Sequence, residues 1–143
     1  MEDYKKYLIY ALLALIILFP LLNNYFLTLD SIPTPNFKVE DLFYGFETSI
    51  INSLPWLLVF KSVSLILSVS VTHKIFLFLA LFLSGISMHN LIRTESQLPR
   101  YFAGILYMIN PFFYIRFMAG HWHLLLAYAI TPFVIASIIK FFK

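Results

Sequence analysis

Two apolar stretches within residues 101–132 are separated only by Gly120-His121-Trp122-His123. A link that short leaves the second stretch no route except back along the first, so the region is expected to form a helical hairpin. Its tip carries His121, Trp122 and His123, with Arg116 a little over one helical turn earlier. Each arm approaches the roughly 20 apolar residues a helix needs to cross about 30 Å of hydrocarbon. Composition says what surrounds the hairpin. The chain has 143 residues, 61% hydrophobic and 12% charged, where water-soluble domains hold about 45–50% and about 25%. A core of this size cannot hide that excess, so lipid must be the solvent for much of it. The fold class expected is all-α integral membrane.

Four transmembrane helices are expected, over residues 7–29, 74–92, 99–119 and 122–142, in a single membrane domain spanning 1–143. The first follows Lys5-Lys6, runs past Pro20 to Asp30 and has no small-x-small site after it, which reads as an uncleaved signal anchor. Residues 30–49 form the first real loop, because Pro33 and Pro35 remove backbone donors and fix φ. Residues 50–72 are ambiguous: they are apolar but carry Asn52, Pro55 and a mid-segment Lys61. A lysine at the bilayer centre costs about 2.5–3.5 kcal/mol, so the favoured reading is a surface amphipathic helix in the first outer loop, with Trp56 at the interface. In the second span Ser84-Gly85 allows a close helix contact. In the third, Asn110-Pro111 breaks the middle. No internal repeat is evident.

With four spans, Lys5, Lys6, Arg93, Arg100, Lys140 and Lys143 fall on one side, against Lys38, Lys61, Lys74 and Arg116 on the other. The larger set sits in short segments, where the positive-inside rule applies best. The localisation expected is a multi-pass protein of the cell membrane with both termini cytoplasmic. A fifth span at residues 50–72 would abolish the bias. The acidic loop and the hairpin tip then share the outer face.

Few residues can carry chemistry. Asp30 lies where the first span meets that face; it suits a general base or a metal ligand, but position alone favours a solvated carboxylate. Glu40-Asp41 could hold a divalent cation through hard oxygens, although Asp41 before Leu42-Phe43 equally suits a helix start. His121 and His123 could contact phosphate or sugar, or be plain interfacial residues; a metal site would need further ligands, and none is expected. Arg116 could snorkel to headgroups or grip a phosphate bidentately. Cysteine is absent, which excludes disulfides and thiolate chemistry. A net charge of +3, scattered along the chain, gives no ground for a nucleic-acid partner. No Gly-rich phosphate loop, HExxH or Ser-His-Asp order occurs.

One string is more specific. Ala103-Gly104-x-Leu106-Tyr107-x-x-Asn110-Pro111-Phe112, then Gly120-His121, then Leu125-Leu126-Ala127-Tyr128-Ala129-x-x-Pro132 resembles the N-terminal membrane region of C-superfamily polytopic glycosyltransferases. Leu54-Pro55 and Leu83-Ser84-Gly85-x-Ser87-Met88 fit the same layout. The resemblance implies a polyprenyl-phosphate-linked sugar donor, an extracytoplasmic site and a catalytic acid in the first outer loop. That acid would be Asp30, with Glu40 or Asp41 as second choice. Arg116 and His121 would bind the donor phosphate. The resemblance also implies eight or more spans, so this chain is expected to be the N-terminal part of a larger protein or to act with a second polytopic chain. Two rival readings remain. One is a small non-enzymatic membrane protein that assembles with a partner. The other is a transporter fragment.

Overall fold

A computed structural model describes residues 3–22 and 48–142. Six helices occur among them: α1 (Asp3–Leu22), α2 (Thr48–Ser64), α3 (Val69–Leu91), α4 (Gln97–Ile109), α5 (Pro111–Met118) and α6 (Trp122–Phe141). No strand occurs among the described residues. Three helices are long and apolar enough to cross a membrane, over Tyr4–Leu22, Val69–Leu91 and Trp122–Phe141. The expected third span, residues 99–119, is two helices, divided where the Asn110-Pro111 break was expected. Pro111 has no N–H to give and restricts Asn110 to extended backbone, so the segment divides into α4 and α5 at Asn110 (φ −69°, ψ 162°).

The second expected span starts five residues early, at Val69 rather than 74. Ser68 is the cause: its side chain accepts the Val71 N–H at 3.3 Å, which satisfies one of the free donors of a first turn. The amphipathic helix is also not where it was expected. The apolar residues of α2 are spread around its axis, whereas α4 is strongly two-sided. Yet α4 is inside out. Leu98, Phe102, Leu106 and Ile109 face outward, while Gly104 and Met108 are buried and Tyr101 packs on the core. Large apolar side chains thus make up the outer face, while the inner one mixes Gly104 and Tyr101 with Met108.

α3 is the centre of the bundle and packs on α6, α4 and α1. Tyr10, Ala14 and Leu18, spaced by four, form the buried stripe of α1, while Leu12, Ile16 and Phe19 point outward at 58–66% exposure, as a lipid face should. The close contact expected at Ser84-Gly85 is present. Gly85 and Gly104 bring α3 and α4 together around the Tyr10 ring, which lies directly over both glycine α-carbons. Tyr10 Oη is hydrogen-bonded to His89 Nδ1 (3.0 Å), and Tyr101 stacks on Tyr10 at 6.1 Å. The buried hydroxyls of Ser84 and Ser87 donate to carbonyls in their own helix, Leu81 O and Ser84 O, at 2.7 and 3.0 Å.

Cations close this end of the bundle. Arg100 Nε donates to the His89 carbonyl (3.4 Å) and Lys6 Nζ to Asn90 Oδ1 (3.3 Å), both at the negative end of the α3 dipole. Tyr10→Phe is expected to keep the ring in place and to cost about 1 kcal/mol, the usual worth of one hydrogen bond. Reversible SDS unfolding in mixed micelles measures it, and a loss above about 3 kcal/mol would mean the hydroxyl does more than bond His89.

Candidate functional site

The opposite end of the bundle carries the residues expected to bind phosphate. α5 ends in a Schellman turn: Gly120 N–H donates to Phe117 O and His121 N–H to Arg116 O, both at 3.0 Å. The turn needs a left-handed residue, and Gly120 supplies it at φ 79°. The reversal is tighter than the four-residue turn expected, because Trp122 and His123 already belong to α6.

Three consequences follow for the side chains. Arg116, in the last turn of α5, and His121, the N-cap of α6, are brought together, with Arg116 Nη1 at 3.4 Å from His121 Nδ1. An arginine can only donate, so His121 Nδ1 accepts and the ring is held as the neutral Nε2–H tautomer in this contact. Arg116 also lies 5.9 Å over the Phe112 ring, a cation–π distance. His73, buried in the first turns of α3, hydrogen-bonds the Gly120 backbone and ties the turn to the central helix. Lys74 Nζ donates to the Leu22 carbonyl (3.3 Å), at the same end.

Trp122 is not a polar tip residue. It is 2% exposed, stacked on Phe76 at 4.7 Å and flanked by Phe60 at 5.5 Å and Trp56 at 6.3 Å. It is the aromatic hub that docks α2 on α3 and α6. Trp56 lies against this hub and stays 40% exposed.

Asp30, Glu40 and Asp41 lie outside the described residues. The described acids, Asp3 and Glu95, both belong to the other end of the bundle. The described part of this end is therefore lined by Lys74, Arg116 and the histidines, with no carboxylate among the described residues there. The ring centroids of His121 and His123 are 6.1 Å apart, and no group of three metal-ligating side chains occurs among the described residues. The described cations and ring N–H groups at this end can donate hydrogen bonds to an anion.

The Asn-Pro and Ala-Tyr-Ala-x-x-Pro strings have a different role, which sequence reasoning missed. Tyr107 and Tyr128 stack at 4.1 Å and 10°. Tyr107 Oη donates to Tyr128 O (2.9 Å) and Tyr128 Oη to Tyr107 O (3.1 Å). Asn110 Nδ2 donates to Tyr107 O (2.7 Å) and to Tyr128 Oη (2.6 Å), while its Oδ1 accepts the Phe113 N–H (2.9 Å) and caps α5. The signal was available: Tyr107-Met-Ile-Asn-Pro111 and Tyr128-Ala-Ile-Thr-Pro132 are the same Tyr-x-Ile-x-Pro pattern.

Comparison of the chain with protein-family models, with curated proteins and with solved structures gives no match in any of the three.

Proposed function

We propose that this chain is a membrane module that holds a lipid-linked phosphate at the end of the bundle bearing the α5–α6 turn, and that it serves transfer of a sugar from that lipid. The reading rests above all on the Arg116–His121 contact at 3.4 Å. A guanidinium fixed beside an imidazole at a membrane boundary offers an anion two directional donors. Lys74 adds a further cation at the same end. In this reading α4 and α5 together make a fourth crossing. Their 13 and 8 residues rise about 20 and 12 Å at roughly 1.5 Å each, enough for about 30 Å of hydrocarbon. Both termini are then cytoplasmic and the phosphate site lies outside the cell membrane. Asp30 is the base, with Glu40 or Asp41 the second choice, and further helices or a second polytopic chain complete the acceptor side.

The test is native mass spectrometry of the purified chain with polyprenyl phosphate and with polyprenol. Wild type retains the phosphate and releases the alcohol. Arg116→Ala weakens phosphate retention about 10- to 100-fold, the worth of a charge-assisted hydrogen bond, whereas Arg116→Lys loses less because it keeps the charge without the fork. Equal retention of phosphate and alcohol, or an Arg116→Ala protein that binds like wild type, would sink the proposal and leave the non-enzymatic, partner-assembling protein in its place.

A further inference from the structure

Each proline of the Tyr-x-Ile-x-Pro pairs stands four residues after its tyrosine. That is the position whose N–H would bond the tyrosine carbonyl in a continuous helix. Pro111 therefore leaves Tyr107 O without its helical partner, and Pro132 does the same to Tyr128 O. With α4 and α5 as the proposed fourth crossing, on which this step rests, neither carbonyl can turn to water, so each must be met by protein. Each is met by the tyrosine hydroxyl of the opposite helix, at 3.1 and 2.9 Å.

We infer that these two tyrosines form a reciprocal latch, in which each hydroxyl replaces the N–H that the other helix's proline lacks, so that the break at Pro111 and the weakened turn at Pro132 within α6 open and close as one unit. The stacked rings make the exchange mutual, since neither hydroxyl can leave its carbonyl without moving the ring that holds the other. Asn110 locks the arrangement by donating both to Tyr107 O and to Tyr128 Oη. What the latch controls follows from its place. α5 hangs from the break at Asn110 and carries Arg116 at its far end, so the latch fixes the near end of α5 while the His73–Gly120 bond fixes the far end. This inference does not depend on the phosphate reading.

The exchange makes a crossed prediction that simple packing does not. In SDS unfolding of the full chain, Tyr107→Phe keeps the ring and raises the unfolding constant about three- to tenfold, as for one hydrogen bond between membrane helices. In a Pro132→Ala background, where residue 132 again has an N–H for Tyr128 O, the same substitution changes it less than twofold. In a Pro111→Ala background it keeps its full effect. Tyr128→Phe also removes the oxygen that accepts the Asn110 amide, so Pro111→Ala relieves it only in part and Pro132→Ala does not relieve it. If either single tyrosine variant fails to fold, its matching proline double variant should fold. A double variant that stays unfolded while the proline variant folds overturns the latch, as does a tyrosine effect that is equal in all three backgrounds. The coupling is read by hydrogen exchange on folded Tyr128→Phe: faster exchange both around Pro111 and around Pro132 supports it, and acceleration around Pro111 alone refutes it.

Discussion

Replacing Gly104 with alanine should destabilise this protein strongly. A Cβ at residue 104 would overlap the Tyr10 hydroxyl and lie 2.8 Å from both Tyr10 Cζ and the Gly85 carbonyl oxygen. The carbonyl belongs to the central helix and cannot yield. Tyr10 is held by His89 and by the Tyr101 ring. Overpacking of this kind sits at the upper end of the usual range, about 3 kcal/mol, and valine should exceed it. Gly85→Ala should be milder, because its Cβ would meet only atoms of the Tyr10 ring. Removing the hydroxyl with Tyr10→Phe should relieve part of the Gly104→Ala cost but not all of it, since the Gly85 carbonyl remains. SDS unfolding midpoints measure the series, with the outward-facing Leu106→Ala as control. A Gly104→Ala protein as stable as that control would show that α3 and α4 are not held at glycine distance.

The second large effect is expected at Trp122. Truncation to alanine empties the space between Phe76, Phe60 and Trp56, and loss of a buried tryptophan typically costs about 3–5 kcal/mol. Phenylalanine should be tolerated far better. Among the described residues the indole Nε1 has no hydrogen-bond partner, so removing it leaves nothing unpaired. The chain has two tryptophans, so either variant leaves Trp56 as the sole indole reporter of α2. Its emission should stay put in Trp122→Phe and shift in Trp122→Ala as α2 leaves its seat. Unchanged emission and stability in Trp122→Ala would remove Trp122 from the role of hub.

Much of this architecture can be read from the amino acids, and the misreadings have physical causes. Residues 122–142 show their helix plainly because an apolar run followed by Lys140 needs no tertiary partner to be recognised. Ser84-Gly85 announces a close contact because only small residues permit one. The start of α3 was placed late because Ser68 among four serines carries no mark that it, rather than its neighbours, accepts the first-turn N–H. α2 was read as two-sided because Lys61 drew attention to a polar face that its other residues do not continue. The inside-out face of α4 hides in sequence, since periodicity reports that a helix has two faces but not which solvent each meets. Trp122 stands between two histidines at the expected hairpin tip; only the approach of Phe60 and Phe76, far away along the chain, makes it interior. For the site, Arg116 and His121 were legible as a pair from the brevity of the turn. The latch was not, because its hydrogen bonds join carbonyls that no side-chain motif names.

A fluid hydrocarbon accepts an apolar side chain of almost any shape, so Leu12, Ile16 and Phe19 on the outward face of α1 specify little beyond their oiliness. Shape is written instead in a thin inner seam, where Tyr10 fits two glycines and Tyr107 fits Tyr128. It follows that drift over generations should cost little on the rind and a great deal along the seam. Two descendants of this chain could share few letters overall and still be the same object, recognisable by a handful of interior positions.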